Sequence, residues 1–267
     1  MIDRKSLYVA GVVLAYSAAC GGGTPTEHQP ATPARQTGQI RGIVKLHGAA
    51  PASRHEPNTK QPEVCGNQVP VTRLAVGASN GVGRAFVYLH GLPASGQLKR
   101  AASVTIGQKD CTYAPGSMVL ATGTPFEIVN DDPVLHNVHA STTAENGRQT
   151  VFNIAQPVRG QRTRVETELK PGIMTLTCEA GHPWMKAHVF VADHDYVAVT
   201  DGEGRFVIDG VPAGTYPIKM WHEGVALKRI IASLQQFEYE EPYEVTKHVV
   251  VTSGGVAEVE FELALRE

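Results

Sequence analysis

Short runs of Val, Ile, Thr and Phe recur along this chain, each stopped by Gly, Pro, Asn or Asp, and few folds tolerate that rhythm. Runs of this length and composition read as strands. They fall at Ile40–Leu46, Arg84–Leu89, Ser103–Ile106, Ser117–Ala121, Pro125–Asn130, Arg162–Glu168, Ile173–Cys178 and His188–Ala192. Further runs follow at Val197–Thr200, Arg205–Ile208, Tyr216–Trp221, Glu244–Val251 and Val256–Leu263. Asp201-Gly202-Glu203-Gly204 and Ser253-Gly254-Gly255 have the composition of hairpin turns. With 27 Gly and 17 Pro in 267 residues, turns are plentiful, and only Val225–Gln236 carries a mild helical spacing. Evenly spaced strands without βαβ alternation predict an all-β chain of antiparallel sandwiches. No GxGxxG or P-loop is present, which argues against a nucleotide enzyme.

Charge narrows the partners. The 24 Lys and Arg against 26 Asp and Glu leave a net charge of -2, so a nucleic-acid partner held by a basic face is excluded. At 42% hydrophobic residues the chain has material for a core. Beyond the N-terminus no apolar run is long enough to cross a membrane.

The N-terminus reads as an address. Arg4 and Lys5 precede the apolar run Leu7–Ala15, which has the length of a secretory core segment. Ser17-Ala18-Ala19-Cys20 suits ordinary signal peptidase and also resembles a bacterial lipobox, with Ser17 where Leu is usual. Residues 1–19 are therefore expected to be a signal peptide and residues 20–39, rich in Gly, Thr and Pro, a flexible tether. The expected location is periplasmic, or on the outer membrane with a lipid on Cys20 as the membrane contact. A soluble secreted protein with an unpaired Cys20 is the alternative. With Cys20 set aside, three cysteines remain, so one stays free or binds something. Cys65 and Cys111 lie in polar, loop-like surroundings and are paired by elimination; two free thiols are the other reading.

The remaining cysteine carries the chemistry. Cys178-Glu179-Ala180-Gly181-His182-Pro183-Trp184-Met185 offers a thiolate, an imidazole and a thioether within eight residues. Upstream, Asn130-Asp131-Asp132-Pro133-Val134-Leu135-His136-Asn137-Val138-His139 follows an expected strand with a histidine. Two His, one Cys and a Met are the ligands of a blue-copper site: the soft thiolate bonds strongly to copper, neutral imidazoles suit both oxidation states, and a weak axial thioether favours neither. Zinc would take Cys178, His136 and His182 and have no use for Met185. A buried free cysteine in an ordinary core, with Met185 as filler, is the plain structural alternative.

Residues 103–193 resemble the cupredoxins, the plastocyanin-like blue-copper family. The likeness runs through Tyr113-Ala114-Pro115, Gly123, Pro125–Asn130, His136-Asn137, Gly172 and Cys178 to Met185. It implies a Greek-key β-sandwich at 101–195 holding one copper ion, with His136, Cys178 and His182 as equatorial ligands and Met185 axial. Asn137 would tie the two ligand loops together, Trp184 would shield the site from water, and His139 would stand just behind the ligands or at the surface. The loop spacing also looks like part of the dicopper centre of cytochrome oxidase, but Met174 stands where that centre has its first cysteine, so a single copper is expected.

Tyr196–Tyr216, with Thr200-Asp201-Gly202-Glu203-Gly204-Arg205-Phe206 and Pro212-Ala213-Gly214-Thr215-Tyr216, resembles the carboxypeptidase-regulatory-like, transthyretin-like sandwich. Its opening strands read like Gly42–Leu46 and Arg84–Leu89, so 40–100 with 196–267 form the expected second sandwich, with the copper module inserted; a tandem order is the alternative. Its Trp221-His222-Glu223 is expected to hold an ordinary strand-end histidine, and Phe237–Glu244 a solvated acidic loop. The function expected is single-electron transfer between redox proteins, such as a c-type cytochrome, rather than catalysis. Copper delivery, or a metal-free structural or adhesive module, are the alternatives.

Overall fold

The computed structural model describes residues 37–94, 98–145, 147–231 and 236–266. The chain is all-β; among the described residues the helical segment is the single turn Pro62–Cys65. No helix among them is long and apolar enough to cross a membrane. The expected signal segment, residues 1–19, and Cys20 lie outside the described residues. The expected tether to residue 39 is too long, because Thr37–His47 is already a strand, with Gly38 opposite Val211 and Gln39 opposite Val256.

Two sheets bury one core. Thr37–His47 lies between Arg205–Pro212, antiparallel, and Val256–Ala264, parallel. The facing sheet runs in the order Val197–Val199, Phe86–Leu89, Gly214–His222, Tyr243–Val251. Alternation of side chains sends Ile40, Val44, Leu46, Phe206, Ile208, Phe261 and Leu263 inward against Val87, Leu89, Ile218 and Met220. Gly42 is required where the first and last strands pass: a Cβ there would sit 1.8 Å from the Val259 carbonyl oxygen. The 201–204 turn closes as its composition predicts. Asp201 Oδ1 accepts the N–H groups of Glu203 (2.9 Å) and Arg205 (2.8 Å), and Gly204 supplies the left-handed residue at φ 77°.

The intervening residues bury a second core. One sheet runs Gly147–Gln156, His136–Ala144, Gly172–Thr177, Lys186–Ala192, Ser117–Ala121, and the other Arg162–Val165, Phe126–Asn130, Val104–Lys109, Thr112–Ala114. Ile106, Leu120, Phe126, Ile128, Val138, Leu176 and Val189 fill the space between them. The polar hairpin His136–Ala144 with Gly147–Gln156 escapes the sequence reading because His139, Ser141, Thr142 and Thr143 dilute its apolar alternation.

The two cores meet through aromatic rings and a buried ionic knot. Phe86 and Trp221 pack with Phe190, the Phe86–Phe190 and Phe86–Trp221 centroids each 5.6 Å apart. Beside them Arg73 makes a two-pronged ion pair with Glu223, which also accepts from His188 Nε2 at 3.0 Å. Burial opposes ionisation of Glu223, yet Arg73 foremost, with the His188 hydrogen bond and Lys186, holds its carboxyl well below the usual range. His222, expected to be a satisfied strand-end residue, is buried with Nδ1 2.8 Å from the Glu223 carbonyl.

Two local expectations fail here. Val225–Gln236 is not helical: Leu227–Ile231 pairs antiparallel with Gln236–Tyr239, and residues 232–235 lie outside the described set. Phe237–Glu244 is not a solvated loop, since Tyr239 and Tyr243 are buried. Tertiary contacts override the weak helical spacing. The Tyr239 ring lies under the cations of Arg73 and Lys186, at 5.3 and 5.0 Å, which needs the extended strand to place it.

Replacing Glu223 by Gln keeps the shape and strands the Arg73 and Lys186 charges. The expected loss is about 3–5 kcal/mol of unfolding free energy, read from urea melts; a loss below 1 kcal/mol would show the knot to be incidental.

Candidate metal centre

The first half of the site is built by Asn130, the last residue of its strand and fully buried. Its Nδ2 donates to the carbonyls of Val134 (2.9 Å) and Gln156 (2.8 Å), and its Oδ1 accepts the Asp132 N–H (3.0 Å). This tight turn aims Asp132 inward and delivers His136 as the first residue of the next strand. Asp132 Oδ2 accepts from His136 Nε2 (2.8 Å) and from the Cys111 N–H (2.9 Å).

The second half is the loop after Gly172–Thr177. The Cys178 N–H donates to the Met185 carbonyl (3.3 Å) and the Met185 N–H to the His182 carbonyl (3.0 Å), so the loop folds back on itself. Gly181, at φ 94°, takes a left-handed conformation that other residues resist. Asn137 Oδ1 accepts the Glu179 N–H at 2.5 Å and joins the two halves, while the Asn137 carbonyl accepts from Tyr113 Oη at 2.5 Å.

Three donor atoms converge. Cys178 Sγ lies 3.6 Å from His182 Nδ1 and 3.9 Å from His136 Nδ1, and the two Nδ1 atoms are 3.2 Å apart. Both rings are 0% exposed and Cys178 is 3% exposed. Each Nε2–H is donated away, from His136 to Asp132 and from His182 to Gln61 Oε1 (2.8 Å), which leaves both Nδ1 lone pairs turned toward each other and the sulfur. Bare acceptors this close repel unless a cation lies between them. One ion bonded to two nitrogens at about 2.0–2.1 Å and a sulfur at about 2.3 Å would hold its donors roughly 3.3–3.8 Å apart. The observed separations match that spacing, so the residues fit a metal ion.

The electrostatics agree. Burial lowers the His136 pKa despite Asp132, and burial, with the neighbouring His136 and Lys60, lowers that of His182 to about 4. Both rings are neutral near pH 7, as a ligand must be. Burial raises the Cys178 thiol, partly offset by the backbone N–H groups of Asn137, Ala180 and His182 directed at the sulfur. Such contacts tune the basicity of a thiolate ligand.

The other expected residues fall around this triad. Met185 is buried in the same core. Trp184 stands edge-on to His182, centroids 5.3 Å apart, and its Nε1–H donates to the Cys111 carbonyl (3.0 Å). His139 turns away and is engaged by Glu179 Oε1 (2.6 Å) and Thr150 Oγ1 (2.7 Å). Cys65 and Cys111 form a disulfide, and Cys178 is the free cysteine among the described residues. Asp132 and Gln61 hold the two rings and were not singled out from sequence. Asp132 stands four residues before His136, a visible cue, whereas nothing local connects Gln61 to His182 across 121 positions.

No protein-family profile and no curated protein matches the chain. Solved structures do. A purple cupredoxin from Nitrosopumilus maritimus is 24% identical over 34% of this chain and 100% of its own, with a TM-score of 0.29. A Cu(I) amicyanin mutant is 15% identical over 40% of this chain and 98% of its own, with a TM-score of 0.29. A Cu-containing nitrite reductase from Thermus scotoductus SA-01 is 21% identical over 38% of this chain, with a TM-score of 0.28, and the match spans 25% of the reductase's length.

Burial of the imidazoles sets a pH dependence. His182 and His188 both have pKa values lowered to about 4, burial being the largest cause in each. Unfolding returns them to about 6.5, so below that pH the unfolded chain binds protons that the folded chain refuses. The metal-free protein is therefore expected to lose thermal stability as pH falls from about 6.5 toward about 4. Replacing His188 by Gln should flatten that fall, as read by Tm across a pH series, and an unchanged slope would contradict the assignment.

Proposed function

We propose that this protein carries single electrons through one copper ion bound by Cys178, His136 and His182, with Met185 as a weak axial ligand. The observation that carries the reading is the convergence of one sulfur and two Nδ1 atoms, 3.2–3.9 Å apart, among buried side chains. Copper, when bound, supplies one-electron chemistry. The protein's residues do the rest. Cys178 gives up its proton, Asp132 and Gln61 fix the two rings, and the buried walls exclude water and leave no open face for a substrate.

In this reading residues 101–195 are a cupredoxin-like domain, and 40–100 with 196–267 a carboxypeptidase-regulatory-like sandwich that carries it. The chain is exported, periplasmic or tethered to the outer membrane through a lipid on Cys20, and exchanges electrons with a redox protein such as a c-type cytochrome. A copper-delivery role would use the same three donors. Reversible one-electron voltammetry separates the two readings, because delivery needs no fast redox response.

Adding Cu(II) is expected to produce a strong visible thiolate-to-copper band with one ion per chain. Cys178→Ser should abolish the colour, and colour that survives would overturn the ligand assignment. Asp132→Asn should keep the colour but shift the reduction potential, since the His136 ring loses a carboxylate partner.

A further inference from the structure

The disulfide stands against the metal centre. The two sulfurs of Cys65 and Cys111 and a ring nitrogen of His182 all lie within 4.8 Å of one another. Cys111 also groups at that distance with Asp132 and His136, so its sulfur neighbours both imidazoles. The loop bearing Cys65 is held over His182 by the Gln61 hydrogen bond, and its first turn closes through the Cys65 N–H donating to the Gln61 carbonyl at 2.9 Å. Cys111 is fully buried, whereas Cys65 is only partly buried, so the Cys65 side of the bond lies nearer to solvent and to an attacking thiolate.

We propose that Cys65 and Cys111 are a masked pair of metal ligands: reduced, they form beside His182 a second, two-coordinate site, specific for a soft ion such as Cu(I). Opening the bond takes two electrons from a dithiol reductant. The reductant's thiolate attacks Cys65 Sγ, the Cys65–Cys111 bond breaks, and the mixed disulfide resolves to an oxidised reductant and two protein thiols. Cu(I) then displaces two thiol protons and gains two thiolates, soft donors that suit Cu(I). Copper changes oxidation state nowhere in this sequence. The second site takes no donor from the proposed copper centre, so the redox state of the cysteine pair sets whether the chain takes one ion or two.

The test is a copper count on the full chain, with Cu(I) supplied as its acetonitrile complex without oxygen. Four samples are needed: wild type and Cys178→Ser, each with the disulfide intact and after phosphine reduction, the free thiols being counted by alkylation mass. Wild type should bind one ion intact and two reduced; Cys178→Ser should bind none intact and one reduced. In Cys178→Ser, reduced protein alkylated at Cys65 and Cys111 should return to the intact count, a control that needs no new fold. Equal counts for intact and reduced wild type, with the thiols verified, overturn this inference and leave the Cys178 centre standing. No ion on intact wild type but one on the reduced form overturns the Cys178 centre and leaves the dithiol site standing.

Discussion

Two imidazoles facing each other across 3.2 Å in a dry core constrain everything near them. Placing neutral rings there costs little only if each far nitrogen has a partner, and the chain provides one from each side. Asp132 takes the His136 proton-bearing edge and Gln61 takes that of His182. Those two hydrogen bonds fix the tautomers, and the tautomers fix where the lone pairs point. The Asn130 turn, the Gly181 reversal and the Asn137 clasp exist to hold the rings in that relation.

The strands around the site were largely legible. Period-two runs ending at Asn130 and Cys178 placed the two halves, and the Cys-x3-His spacing singled out Cys178 and His182, which the structure brings beside His136. Supporting contacts were not legible, for a physical reason. Gln61 reaches His182 from a loop whose course depends on Cys65 and Cys111, and a polar side chain in a polar loop gives no periodic signal. The same limit hid the ionic knot, since Arg73 and Glu223 are 150 positions apart. In Leu227–Ile231 a weak helical spacing lost to cross-strand pairing, and Arg229 with Glu238 shows the antiparallel register that won.

The ionic knot also reaches toward the candidate metal centre. Arg73 donates to the carbonyls of Trp184 (3.4 Å) and Lys186 (3.3 Å), the residues on either side of Met185. The ionic knot beside the first core therefore supports the 178–185 loop from behind, through a guanidinium whose five donors match two carbonyls and a carboxylate together. The loop bearing the donors is braced by a part of the chain that supplies none of them.

The edge-to-edge union of Thr37–His47 with Val256–Ala264 bears on the order in which the molecule is made. A ribosome releases the earlier segment more than two hundred residues before its neighbour exists, so that strand must wait with one border bare. The stretch between, whose own sheets draw on Val104 through Ala192, has no such delay and can complete itself first. The inner sandwich can thus close while the outer frame still lacks its last strand.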